Sequence, residues 1–577
     1  MSRAWRGTWW CCPAELSAAS GMMARAGPLR GWRPGAALAL GLLGLGLSMA
    51  LAGGAPGAAT GDSHRGEPLF RRYCAVCHGP GGAGDGPNAP FLEDDQPRDL
   101  TNPRYVGGLS DAHLYRVIAE GEEAIQGSRF MPPWGRTFSA TQIWDLVAYI
   151  RKLAASEQGA SAPAAQPSAG AILAQDLGCP VCHKIGNLES DPMAPDLGAE
   201  GSRVQRAWLI RFLKAPNAIR PVGYHPLSRA RMPDFRLSDQ EASSLAEYLL
   251  TRRDGNAPDR RESTPSATLT QQGRDLFRHY ACRACHKRDG AGGRAGPDLS
   301  AVAQRLKPGW TMRFIQNPQA IDPLVPMPHL GVPEEPARAI THFLFGGTLP
   351  QPEAPPDAAA AARGADLFRA LGCSRCHDRE RAEVASGFAP DLSGAGDKLR
   401  PEWLAGFLMR PATIRPWLGA RMPGFRLDEA ELRALVGFIG ELRESKVVPL
   451  VEQRRFAGTI SEANVRAGRR LASREFLSCS SCHIGEEQPE GNPDEWAPDL
   501  RGAGRRLNPD WIVRWFQDPE RLSPGTKMPN FFADERSGPE EILDGDEERQ
   551  MLALRDYILS LGGAGSPEAG PPAAPAK

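Results

Sequence analysis

Apolar positions along this chain fall in short helical runs separated by long polar stretches rich in Pro and Gly. Ser139-Ala140-Thr141-Gln142 reads as a capping box leading into Ile143, Trp144, Val147 and Ile150 at helical spacing. The same pattern returns at Ser238-Asp239-Gln240-Glu241, ahead of Leu245, Tyr248 and Leu249. Gly66 to Tyr73 predicts an opening helix that sets Phe70 one turn before a cysteine. Trp-led amphipathic helices are expected at Trp208, Trp310, Trp403 and Trp511, with Leu109 to Glu120 taking that place in the first part of the chain. Each Trp is preceded by Pro-Asp-Leu (Pro195, Pro297, Pro390, Pro498) and followed by a Pro-rich loop containing Met-Pro. Such self-similarity means copies of one small helical unit, so the chain reads as all-α.

At 577 residues the chain is too long for one core. The runs divide it into units at 64–155, 169–253, 269–347, 362–444 and 455–561, the first a distinct subtype. Ala155 to Ser168 and Leu349 to Ala361 are Pro/Ala-rich linkers, and Asp254 to Thr268 is polar with Pro. Ser445 to Arg454 lacks that composition and offers Val447, Val448, Leu450 and Val451 for burial. These junctions predict that the last two units form a rigid pair. The first unit is then expected to be the most mobile and to dock an outside partner. Residues 562–577 are Gly/Pro/Ala-rich and read as a disordered tail.

Arg25, Arg30 and Arg33 precede an apolar run from Ala36 to Ala52 that ends in Ala50-Leu51-Ala52. This is the pattern of a secretory signal peptide over 1–52, and a start at Met22 or Met23 would give it more usual proportions, leaving 1–21 as a gene-start extension. We read the run as cleaved. Left in place, its length of about 17 residues allows a single N-terminal membrane anchor.

The charge balance excludes one class of partner: Lys+Arg and Asp+Glu are both 68, and nothing points to nucleic acid. The cysteines change the picture more. Ten of the 12 lie in Cys74-Ala75-Val76-Cys77-His78, Cys179-Pro180-Val181-Cys182-His183, Cys282-Arg283-Ala284-Cys285-His286, Cys373-Ser374-Arg375-Cys376-His377 and Cys479-Ser480-Ser481-Cys482-His483. C-x-x-C-H is the attachment signature of c-type heme, in which both thiols form thioethers with the porphyrin and the imidazole binds iron. Zinc would need a second ligand pair within reach, whereas these pairs recur roughly every 100 residues, one per small unit. The sequence therefore predicts five covalent hemes (heme c), each with its iron. Cys11 and Cys12 fall in the export segment. Gly79-Pro80-Gly81-Gly82-Ala83-Gly84 matches a dinucleotide fingerprint in letters only, because no strand precedes it and a motif His abuts it.

A closed iron site needs a sixth ligand, for which Met or His is usual. Met131, Met232, Met327, Met422 and Met528 each begin a Met-Pro pair roughly 40 to 55 residues after the motif His of the same unit. The candidate iron ligands are thus His78, Met131, His183, Met232, His286, Met327, His377, Met422, His483 and Met528. Met193, Met312, Met409 and Met551 recur at no equivalent place and read as core filler. His64, His113, His225, His279, His329 and His342 follow no common pattern, though His225 and His329 lie in Met loops and could take Met's place there.

On these motifs the chain resembles class I c-type cytochromes, five domains in tandem from His64 to Leu561. The resemblance implies an opening helix bearing Gly and an aromatic that crosses a closing helix bearing another. The pairs would be Gly66 and Phe70 with Tyr149, Gly170 with Tyr248, Gly273 and Phe277 with Phe343, Gly364 and Phe368 with Phe438, and Gly468 with Tyr557. It also implies that the Pro of each Pro-Asp-Leu offers its carbonyl to the motif imidazole. The first unit has Pro97-Arg98-Asp99-Leu100 instead, which leaves its carbonyl open.

The function expected is electron transfer in the bacterial periplasm rather than catalysis, since ligands on both faces close the iron to substrate. The partners expected are other redox proteins or a membrane respiratory complex, with no small-molecule substrate evident. The alternatives are a fixed heme subunit of such a complex, or a multiheme oxidoreductase with one open site.

Overall fold

The structure is a computed structural model describing residues 61–92, 95–155, 168–183, 185, 187–188, 194–219, 230–254, 265–347, 349–350, 353–377, 389–412, 421–443, 450, 454–532 and 538–562. The expected signal peptide, most of the first linker, most of the 445–454 junction, residues 563–577 and His225 lie outside these residues. Among them the chain is helical, with isolated bridges and no strand. No helix among them is long and apolar enough to cross a membrane.

Caps fix where the helices begin. Asp62, Ser168, Ser266, Asp357 and Ser461 each accept a backbone N–H at the start of an opening helix, and Ser238, Asp428 and Asp546 do so for closing helices. Each such cap contributes about 1 kcal/mol. The capping boxes expected at Ser139/Gln142 and Ser238/Glu241 are present. Asp428 and Glu431 form a third of the same kind. The Trp-led helices run Arg206–Lys214, Pro308–Gln316, Pro401–Met409 and Pro509–Gln517. Three of them open on Pro, where a missing N–H costs nothing. In the first repeat Asp111–Glu120 fills that position, capped by Ser110. Residues 79–84 form a loop with Gly79, Gly82 and Gly84 at positive φ, not a strand-to-helix turn.

Every opening helix crosses a closing helix at a glycine, so closely that a methyl group there would overlap a facing carbonyl oxygen. Three crossings stay within one repeat: Gly66 on Asp145 and Tyr149, Gly273 on Ala339 and Phe343, Gly468 on Ala553 and Tyr557. The rings of Phe70 and Tyr149 lie 5.2 Å apart, and those of Phe277 and Phe343 5.5 Å. Phe70 is 1% exposed, a burial that stabilises by about 1.5–3 kcal/mol.

The other two crossings are exchanged. Gly170 of Ala169–Asp176 meets Ala434 and Phe438 of Glu429–Glu441, while Gly364 of Ala358–Ala370 meets Ser244 and Tyr248 of Asp239–Thr251. The rings of Phe368 and Tyr248 are 5.3 Å apart. Glu247 Oε2 accepts the N–H of Asp357, 2.9 Å away, fixing the start of the incoming helix. This corrects the pairing of Gly170 with Tyr248 and of Gly364 and Phe368 with Phe438. The physical reason is that a crossing needs only a glycine opposite an aromatic, and these closing helices are interchangeable. Both follow the same run, Arg-Met-Pro-x-Phe-Arg-Leu, at Arg231 and at Arg421.

The units form a series joined by short reciprocal contacts. The first meets the third through Asn88, through Arg72 Nη2 donating to Leu324 O (2.7 Å), and through His329 N donating to Thr137 Oγ1 (3.0 Å). The third meets the closing half of the second through Gln205 N to Arg305 O and Lys307 N to Arg203 O, both 2.9 Å. The closing halves of the second and fourth meet through Asp234 N to Gly424 O (2.7 Å) and Gly424 N to Asp234 O (2.8 Å). The closing half of the fourth meets the fifth through Arg400 N to Arg506 O and Asn508 N to Lys398 O, both 2.9 Å. Taken with the exchanged helices, these contacts order the motifs first, third, fourth, second, fifth. The expectation of a tight pair between the fourth and fifth motifs is therefore corrected, because the half-repeat beside the fifth unit packs around Cys179, not Cys373. The first unit, expected to be the most mobile, is docked on the third.

Candidate heme sites

Each C-x-x-C-H motif lies at the end of an opening helix, over the core between that helix and the closing one. In the first repeat a turn of π-helix, Phe70–Cys74, delivers Cys74 to Ala75–His78. In the third and fifth, Ala281 and Ser478 at positive φ turn the chain sharply into the motif. Burial pushes the thiols of Cys74, Cys179, Cys282, Cys285 and Cys373 up to about 12 and that of Cys479 to about 11. Such surroundings disfavour a thiolate and suit a neutral thioether.

Burial likewise lowers the proton affinity of His78, His183 and His286, opposed by a hydrogen bond to a backbone carbonyl. His286 Nδ1 donates to Pro297 O (2.9 Å) and His483 Nδ1 to Pro498 O (2.8 Å), as the resemblance implied. His78 donates to Arg98 O (3.1 Å), which supplies the carbonyl left open in the first repeat. His183 donates to Pro390 O (2.9 Å), a residue of the fourth repeat. An imidazole held through Nδ1 keeps its Nε2 lone pair for a metal. A methyl on Gly296 would overlap the His286 ring, so glycine is what lets that chain segment lie against the imidazole. The side chain of His377 lies outside the described residues.

Four of the Met-Pro methionines pack on the same cores as motif cysteines. Met131 packs on the cluster that includes Cys74, and Met528 on the cluster that includes Cys479. Met422 packs with Cys179, and Met232 packs on the cluster containing Phe368 and Cys373. The Met327 loop is pinned by Gln319 Nε2, which donates to Met327 O at 2.7 Å. Each leading Trp stacks on the aromatic four residues later: Trp208 on Phe212, Trp310 on Phe314, Trp403 on Phe407, Trp511 on Trp515. Only in the fifth repeat is that second ring an indole, and Trp515 Nε1 donates to Met528 Sδ at 2.8 Å. Paired cysteines, an Nδ1-anchored imidazole and a methionine on the same core fit a covalent heme, whose iron would take His Nε2 and Met Sδ.

Several residues of these sites stand outside the repeated motifs. Arg231, directly before Met232, forms a buried pair with Glu431 (Nη2 to Oε2 2.7 Å) and donates to Phe425 O (2.8 Å). Arg421, directly before Met422, reciprocates by pairing with Glu241. Arg-Met-Pro occurs in only these two repeats, which is the clue that links them. Asn88, 1% exposed, donates to Ala284 O (2.9 Å) and Cys77 Sγ (3.4 Å) and accepts from Arg294 N (2.7 Å) and Ala295 N (3.0 Å).

Comparison with known families agrees with this geometry. Residues 61–150 match the family described as cytochrome c oxidase, cbb3-type, subunit III, and residues 167–253, 270–343 and 361–443 each match cytochrome c. Comparison with curated proteins and with solved structures gives no significant match. The helical crossings, the heme-attachment motifs over them and the repeated family matches together make the chain a tandem c-type cytochrome.

Proposed function

We propose that the protein carries electrons between redox partners in the bacterial periplasm, through five covalent hemes held by its five Cys pairs, with His and Met as axial ligands. The observation that supports this best is the fixed Nδ1 of His78, His183, His286 and His483, each on a backbone carbonyl. It would keep the Nε2 lone pair available for iron, with a Met-Pro methionine packed on the same core as the candidate second ligand. When bound, heme supplies a one-electron change between ferric and ferrous iron. The chain supplies the rest. Its methionine sulfurs would fill the position that substrate would need, its stacked Trp and Phe rings would shield the site from water, and its exchanged helices bring Cys179–Cys182 beside Ser374–His377. Motifs in the order first, third, fourth, second, fifth give a route whose two ends face different partners, another redox protein or a membrane respiratory complex.

Near-infrared absorption of the ferric protein tests this. We expect the sulfur-to-iron band of Met ligation at an intensity near five sites. Stoichiometric binding of carbon monoxide by the reduced wild type would instead mean an open iron and a catalytic role.

A further inference from the structure

We infer that the two central axial pairs are exchanged between repeats, so that Met422 completes the site of Cys179, Cys182 and His183, and Met232 completes the site of Cys373, Cys376 and His377. The inference rests on the Met ligation proposed above and assigns its partners. Chain order alone would pair each Met with the motif preceding it.

Four independent contacts oppose chain order. The core that holds Cys179, Leu173 and Leu177 is otherwise built from residues 392–442, Met422 among them, and contains nothing from 194–254. His183 takes its carbonyl from Pro390. The opening helix Ala358–Ala370 lies on Asp239–Thr251 through Gly364 and Phe368, and the N–H of its capping residue Asp357 goes to Glu247. Reciprocal ion pairs then join the two closing halves: the Arg before each Met reaches the capping-box Glu of the other repeat's closing helix, Arg231 to Glu431 and Arg421 to Glu241. The Arg231–Glu431 pair is 9% and 6% exposed, and breaking one partner of so buried a pair strands a charge. Each methionine is thus held in place from the neighbouring centre.

Two measurements on the full chain decide the matter. With Cys373→Ser and Cys376→Ser removing one heme, adding Met232→Ala should leave the near-infrared band unchanged, and adding Met422→Ala should remove one further site. The opposite pattern would overturn the exchange. A wild type without the band would remove the ligation reading and this assignment with it. The second measurement judges the exchange without reference to any ligand. Gly364→Ala, with every motif intact, should make amides of Asp239–Thr251 exchange hydrogen about five- to a hundredfold faster and leave Glu429–Glu441 unchanged. Faster exchange in Glu429–Glu441 instead would overturn the exchange even in a protein that shows the band.

Discussion

His183 Nδ1 lies 2.9 Å from the carbonyl oxygen of Pro390, 207 positions further along the chain. One hydrogen bond therefore ties a motif in the second repeat to the Pro-Asp-Leu of the fourth. The contact is of the same kind and length as those of His286 to Pro297 and His483 to Pro498 inside single repeats. The local chemistry of a site is preserved while its covalent connectivity changes, which is what interchangeable repeats permit.

Asn88 should govern the junction of the first and third repeats. Replacing it by Ala removes a donor from Ala284 O and an acceptor from Arg294 N and Ala295 N. Each buried group left unpaired costs about 1–3 kcal/mol. We expect the Arg294 and Ala295 amides to exchange at least tenfold faster, by about that energy, while Gly468 and its helix stay protected. Unchanged exchange would show that other contacts hold the junction.

Trp515 should tune the fifth site. A hydrogen bond to the Met528 sulfur draws electron density from the ligand and favours ferrous iron. Trp515→Phe restores the ring found in the other Trp-led helices and keeps the stack on Trp511. A neutral hydrogen bond of about 0.5–1.5 kcal/mol corresponds to a fall of about 20–60 mV in one potential. A redox titration that resolves the individual steps checks this, and the near-infrared band should persist.

Asp145 should make the first repeat sensitive to acid. The hydrogen bond from Arg65 holds its carboxyl below the usual range, with Asp62 N adding to the effect against the opposing cost of burial. A folded pKa below the unfolded value, about 3.9, means the contribution is present above that pH. It is lost as pH falls through the depressed folded value. Asp145→Asn should therefore weaken protection of Ser63–Leu69 by about 1–3 kcal/mol at pH 6, and the difference from wild type should shrink as pH falls through the depressed folded value. A difference that stayed constant with pH would point to packing instead.

Much of this was legible in the sequence for stated reasons. Cys-x-x-Cys-His is a local pattern, so its residues, the caps at Ser139 and Ser238 and the Trp-led helices could be read from spacing. Gly66, Gly273 and Gly468 meet the aromatics expected of them because those repeats close on themselves. Gly170 and Gly364 do not, because nothing in a glycine or an aromatic specifies which copy it faces. Partner choice shows in contacts such as Asp357 with Glu247 and His183 with Pro390, between residues far apart in the chain. Arg98 was hidden for another reason: a backbone carbonyl can come from any residue type, and only the fold shows which one His78 reaches.

The central claim, that this is one chain of five covalently held hemes, is tested most directly by the intact mass of the purified protein. We expect the apo mass plus five hemes, with the colour staying on the polypeptide after acid–acetone extraction, and one heme fewer in Cys482→Ser. A mass corresponding to three hemes or fewer would contradict the account.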